Sequence, residues 1–332
     1  MTRAATSWAQ VDLAEFWDGG GVPPPAFLKR SDDVPLLYAA KLHAIHGEPE
    51  AGKGWLAHLA AHELVKARKH VLHVDFEDDP TTAVERQRAL GTSRKALLRY
   101  FHYVRPDEPL IGAQDDLTSL LLKHRFKLVI LDGLTEAYTL NGLDPSNNSD
   151  TARWLQLLPR PMAKYGAAVL QIDHVVKDRA AQGKYAIGGQ HKLAGIDVAY
   201  SLRTVEPFGR DCDGAAKLYI VKDRPGWVQR NAVGKDRQIA DVRFASVDSK
   251  VSINLNPPEH AGTDFRPTRL MSQISRVISE KPGLSQQAIR KAVNGKTEVK
   301  RVALERLIGE GFVRVEKDGQ ANRHYPKKAF DA

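Results

Sequence analysis

The segment Gly47-Glu48-Pro49-Glu50-Ala51-Gly52-Lys53-Gly54 constrains this chain more than any other feature. The apolar run 42–46 precedes it and the helical pattern 55–67 follows, so it joins a strand to a helix. The spacing G-x-x-x-x-G-K in that setting is what a phosphate requires. Glycines let successive backbone N–H groups turn inward around an anion, and the helix N-terminus adds partial positive charge. The stretch from Gly47 through Trp55 is the candidate ATP-binding segment, with Lys53 a mobile cation for the β- and γ-phosphates. One position departs from the pattern. Gly54 stands where a Ser or Thr hydroxyl normally ligates Mg²⁺, which leaves water or a carboxylate to complete the metal shell. The plainer reading of the segment is a glycine-rich turn before a helix.

Around this loop the chain alternates. Short apolar runs at 42–46, 70–76, 127–131 and 167–172 are separated by helical stretches at 55–67, 82–90, 115–124 and 151–164. That alternation predicts an α/β fold, a mostly parallel sheet flanked by helices. A further run lies at 216–221, and after Val198 the pattern is strands and turns, so the sheet is expected to end in hairpins. Residues 1–35, with Gly19 to Gly21 and Pro23 to Pro25, form an irregular lead-in with a short helix near 13–17. The large domain is expected over 36–257, a linker over 258–265 and a small domain over 266–332.

A phosphate loop needs acids. The run ending Leu131-Asp132 places Asp132 at the carboxyl edge of a parallel sheet, where it suits Mg²⁺ held through water; the alternative is an Asp opening a turn at Gly133. The run 70–76 ends in Glu77-Asp78-Asp79-Pro80. Glu77 is expected to leave a strand beside the loop strand and face the γ-phosphate, while Asp79 caps the next helix and Pro80 occupies its first turn. A third strand ends Gln171-Ile172-Asp173-His174, as a nucleotide-sensing tip, a metal-ligand pair or a hydrogen-bonded turn.

The order of these pieces, continued by Gly188-Gly189-Gln190-His191-Lys192 and Lys222-Asp223-Arg224-Pro225-Gly226, resembles RecA-like P-loop ATPases of the RepA/DnaB type. These are hexameric replicative helicases, and the chain looks most like the AAA-family ATPases of that group in mobile elements. The resemblance spans roughly 36–257. It implies that Glu77 is the catalytic glutamate, that Asp132 is the Walker B aspartate, and that His174 holds the place of a γ-phosphate sensor. It also implies that Lys222 and Arg224 are a basic pair inserted into a neighbour's nucleotide site, so that hydrolysis depends on assembly. A basic hairpin turn is the plainer account of that pair. The loop 177–188 would face a central channel, with Lys177, Arg179 and Lys184 on single-stranded DNA and Tyr185 stacking on a base; otherwise it is a solvated loop.

The net charge of +9 is concentrated in the tail: residues 266–332 hold 15 Lys and Arg against 7 Asp and Glu. A helical stripe (Leu270, Met271, Ile274, Val277, Ile278), a short helix capped by Ser285, a third helix over 298–309 and a hairpin turning at Asp318-Gly319 resemble a winged helix-turn-helix. Duplex DNA would meet Lys296, Lys300 and Arg301 on the third helix and Arg323 on the wing. Such domains also serve in protein–protein contact. The single cysteine, Cys212, excludes a disulfide framework and a Cys-rich zinc site. No apolar run reaches a membrane span and no signal peptide is expected, so a cytoplasmic protein is anticipated. Taken together, the sequence is read as a DNA-dependent, Mg²⁺-requiring ATPase, a homo-oligomeric helicase. The alternatives are a non-unwinding DNA-binding ATPase, such as a recombination mediator, or a nucleotide-sensing regulator.

Overall fold

A computed structural model describes residues 10–19, 21–174, 193–258, 268–294, 297–318 and 321–330. The chain divides into two units, Met1–Pro258 and Glu259–Ala332.

The first unit is built on a nine-stranded sheet in the order β11-β10-β9-β8-β3-β7-β6-β4-β5. Its parallel part comprises β3 (Leu42–Gly47), β4 (His70–Asp75), β5 (Phe101–Val104), β6 (Phe126–Asp132), β7 (Ala168–His174) and β8 (Val198–Glu206). From β8 the sheet continues as an antiparallel meander through β9 (Gly214–Asp223), β10 (Gln238–Val247) and β11 (Lys250–Asn256), the hairpin ending expected from the sequence. A mostly parallel sheet flanked by helices fits a RecA-like fold.

The two-residue strand period decides which helices cover which face. Leu128 and Ile130 of β6 pack with Leu56, Ala57, Ala60 and Ala61 of α2 (Lys53–Lys66). The intervening Val129 and Leu131 pack on the other face with Tyr138 of α6 (Leu134–Leu140), Trp154 of α7 (Asn148–Leu157) and Met162 of α8 (Pro159–Lys164). Small alanines at 0% exposure let α2 approach the sheet closely, which fixes the start of that helix over the strand ends.

Several segments differ from the sequence reading. The lead-in forms α1 (Ala14–Asp18), where a short helix was expected, but continues as an unexpected hairpin of β1 (Phe27–Lys29) and β2 (Pro35–Leu37), whose Leu28, Leu36 and Leu37 enter the main core. The stretch 151–164 is two helices because Pro159 has no N–H to continue the first. α4 (Arg94–Tyr100), capped by Ser93, runs straight into β5 with no Gly or Pro between them, so neither was anticipated. α3 (Pro80–Ala89) and α5 (Gln114–Lys123) fall where the pattern placed helices. Asp79 accepts hydrogen bonds from the Thr81 and Thr82 amides as the N-cap of α3, with Pro80 in its first turn.

In the second unit, α9 (Thr268–Glu280), β12 (Leu284–Ser285), α10 (Gln286–Ala292) and α11 (Thr297–Gly309) are followed by β13 (Val313–Asp318) and β14 (Ala321–Pro326). The sheet order is β12-β14-β13, and the short strand β12 had no sequence signal. Met271, Ile274 and Ile278 of the helical stripe meet Ile289, Leu304, Leu307 and Val313 in a core of its own. Ser285 accepts the Ala288 amide, capping α10. Among the described residues, no helix is long and apolar enough to cross a membrane.

Candidate nucleotide site

The strand β3 runs into the glycine-rich loop, and α2 begins at Lys53, the strand–loop–helix arrangement the motif requires. The loop turns through left-handed conformations at Glu50 (φ 61°) and Gly52 (φ 93°). Gly52 is doubly constrained, since a Cβ there would lie 2.5 Å from the Phe244 ring. The Nζ of Lys53, buried at 4% exposure, donates to the carbonyls of Gly47 (2.9 Å) and Glu48 (2.7 Å). Burial lowers its pKa, while Asp132, Asp173, Glu77 and Glu48 act in the opposite direction.

Three acids gather at the same sheet edge. Asp75, the last residue of β4, is in register with Asp132, the last of β6. Asp75 is buried. Its Oδ1 accepts the amides of Glu77 (3.1 Å) and Asp78 (2.9 Å), and its Oδ2 accepts the Tyr103 hydroxyl (3.1 Å). Those bonds end the strand two residues before Glu77 and fold the chain over Gly133, whose Cβ position lies 2.9 Å from the Glu77 Cβ. The sequence expectation that Glu77 leaves a strand beside the loop strand is corrected: β7 and β6 lie between β3 and β4. Glu77 reaches the site through the turn, and its charge acts on both Lys53 and Asp132.

Burial, then the charge of Asp75, pushes the Asp132 carboxyl up to about 7. Behind these acids lies His73, with Nε2 3.9 Å from Asp75 and 4.0 Å from Asp132. Burial holds its pKa at about 4, so it is neutral at pH 7 and does not offset their charge.

A second cation here, besides Lys53, was missed in the sequence. A Cβ on Gly54 would lie 3.0 Å from Nη1 of Arg86 and 4.0 Å from Oδ2 of Asp132. Arg86 projects from α3, its guanidinium 4.0 Å from Asp78 and 5.9 Å from the centre of the Trp55 ring. Gly54 therefore does more than delete a hydroxyl; its missing side chain leaves the space Arg86 approaches. Only the helix–helix packing of α3 on α2 brings these two residues together.

β7 carries the remaining site residues. Asp173 is level with His46 and His174 with Gly47, beside the loop. Asp173 is buried, and the side chain of His174 lies outside the described residues. Gln171 is turned into the core, where its Oε1 accepts the indole N–H of Trp154 (2.9 Å).

Lys222 and Arg224 are not brought to this edge. Lys222 is in register with Ala199, itself level with Ala44, so the pair lies about 10 Å back along the strands and two strands sideways from Gly47. Nζ of Lys222 donates to the carbonyls of Leu193 (2.7 Å) and Ala194 (3.0 Å), while Arg224 bonds Ala194 O (3.0 Å) and Asp197 Oδ1 (3.3 Å).

Of the expected DNA contacts, Lys177, Arg179, Lys184 and Lys296 lie outside the described residues, as does Tyr185. In the second unit Lys300 donates to Arg290 O (2.9 Å), Arg301 pairs with Glu305 (2.7 Å) and Arg323 with Asp318 (3.2 Å).

A family model described as an AAA domain matches residues 13–180, a span that holds the loop, Glu77, Asp132 and β7. The chain belongs to this family: it is a P-loop AAA-type ATPase, and nucleotide binding, usually with Mg²⁺, goes with the family. No curated protein matches the chain.

Two outcomes follow from this geometry. Gly52→Ala, which places a Cβ against Phe244 at positive φ, should lower stability by about 2 kcal/mol in urea unfolding and abolish nucleotide binding. Gly91→Ala, also at positive φ but in open space, should lose stability without losing binding. Asp132 has a folded pKa above its unfolded value, so it favours the folded state below pH 4 and loses that contribution as pH rises through about 7. Asp132→Asn should therefore raise the Tm of the nucleotide-free protein by a few degrees at pH 8 and leave it unchanged at pH 3.5.

Proposed function

We propose that this chain is a DNA-dependent ATPase that acts as a homohexameric replicative helicase of a phage, plasmid or other mobile element. The observation that carries the reading is the meeting of the phosphate loop, Lys53, Asp132 and Glu77 at one sheet edge. The loop amides and Lys53 bind the phosphates; Lys53 exchanges its two carbonyl partners for phosphate oxygens. Glu77 accepts the proton of the attacking water, and His174 senses the γ-phosphate. The donor set fits Mg²⁺, since the closely placed carboxylates of Asp75, Glu77 and Asp132 are hard oxygen ligands whose repulsion a divalent cation relieves. Asp132 would hold the ion through water, and the ion would neutralise charge on the phosphoryl oxygens.

Assembly is supported by the distance of Lys222 and Arg224 from their own loop. In such an assembly the pair would exchange its bonds to Leu193, Ala194 and Asp197 for a neighbour's nucleotide, and a cation delivered across an interface makes turnover depend on the oligomer. In the second unit, the order helix, strand, helix, helix, hairpin and the charge of +8 over residues 266–332 support a winged helix on duplex DNA, with Lys296, Lys300 and Arg301 on or beside α11 and Arg323 on the hairpin. Single-stranded DNA would pass the loop bearing Lys177, Arg179 and Lys184.

Arg86 favours a second reading. A guanidinium beside Asp132 supplies in cis part of the charge Mg²⁺ normally brings, which suits a slow nucleotide-switched DNA-binding ATPase.

Hydrolysis measured with and without single-stranded DNA, together with mass in solution, tests the motor. DNA-stimulated turnover by an oligomer is expected, reduced about 100-fold or more in Glu77→Gln and lost in Arg224→Ala. ATP binding without hydrolysis in the unaltered chain would overturn the motor and leave the switch. Arg86 is tested by nucleotide affinity with EDTA and with Mg²⁺. The unaltered chain should lose less than about 10-fold on metal removal, and Arg86→Ala considerably more; equal metal dependence in both would remove Arg86 from the site.

A further inference from the structure

Three histidines converge far from the phosphate loop. His70 opens β4, His102 is the second residue of β5, and His124 follows α5 two residues before β6. Their sequence separations carry no metal-binding spacing, and only the pairing of β5 and β6 on either side of β4 brings them together. His70 Nδ1 is 2.9 Å from His102 Nε2, and the ring centres of His102 and His70 are 4.2 Å and 4.7 Å from that of His124. One ring nitrogen from each lies within 4.8 Å of the others. All three are half-buried, with the Phe126 ring 5.3 Å from His102 and 5.8 Å from His124 as an apolar wall.

We propose that His70, His102 and His124 form a binding site for a divalent transition-metal ion of the zinc class. Three imidazoles from three segments are the ligand set of a tetrahedral site that keeps one position open to solvent. Ligand atoms in such a site are about 3.3 Å apart, a spacing these nitrogens reach by small side-chain rotations. A hydrogen bond between His70 and His102 accounts for two of the rings and leaves the approach of His124 unexplained; a metal accepts a lone pair from each. Imidazole nitrogens without a carboxylate among them select zinc, copper or nickel over magnesium. The site is also separate from the acids at the other end of the sheet. β6 runs from Phe126 to Asp132, about 20 Å of strand, between His124 and the nucleotide. Bound metal would tie the edge strand β5 to β4 and to the start of β6. This proposal is independent of the helicase reading.

The test uses the untagged full chain, freed of metal with EDTA and then held in excess Mg²⁺ to occupy the acidic edge. Zn²⁺ is titrated calorimetrically, and Co²⁺ by its visible absorption, which reports tetrahedral nitrogen coordination. One ion per chain is expected, with a Tm raised by Zn²⁺. Affinity should fall at least 10-fold in His124→Gln and in His70→Gln, each with its metal-free Tm checked, and stay unchanged in Asp132→Asn. Absence of one-to-one binding would overturn the proposal. So would binding that survives both histidine substitutions, or binding lost in Asp132→Asn, which would place the ion among the acids.

Discussion

The register of β4 against β6 sets two carboxylates side by side, Asp75 level with Asp132, and the rest of the nucleotide edge depends on how their repulsion is managed. Asp75 is satisfied locally by two amides and the Tyr103 hydroxyl. At Asp132 the Gly133 amide is outweighed by burial and the charge of Asp75, which push its carboxyl toward neutrality. An acid held this way costs the empty domain stability and suits a cation; the buried Lys53 and the approach of Arg86 are the two cationic responses the fold supplies.

Lys53 is poised rather than spent. Its carbonyl partners Gly47 and Glu48 belong to the loop that would wrap the phosphates. The constraint falls on the glycines instead. A Cβ on Gly47 would meet the Leu202 carbonyl, and one on Gly52 the Phe244 ring. Two strands thus shape the phosphate loop: β10 of the antiparallel meander supplies Phe244, and β8, parallel to β3, supplies Leu202.

A parallel sheet has two chemically different ends, and this one keeps its charged and metal-ligating side chains in separate groups. Strand C-termini present Gly47, Asp75, Asp132 and His174 together. Near the opposite end lie the histidine cluster on one flank and Lys222 with Arg224 on the other. That separation follows from strand direction: β4 and β6 begin where the histidines lie, and β9, antiparallel to β8, ends on that side of the sheet.

What the sequence determined alone was whatever local chemistry dictates. The strand–loop–helix around Lys53, the placement of Asp132 at a strand end, the caps at Asp79 and Ser285 and the alternation of strands with helices all depend on neighbours in the chain. Strand order was not legible, because the crossover from β3 to β4 skips two positions that β6 and β7 fill only later; hence Glu77 reaches the site by a turn and not from an adjacent strand. Nor were Asp75 and Arg86, which look like an ordinary strand end and an ordinary helix cation until packing sets them beside Asp132 and Gly54. The tertiary structure alone decided these, because contact between residues distant in sequence is fixed by which faces must be buried, and no local pattern records that.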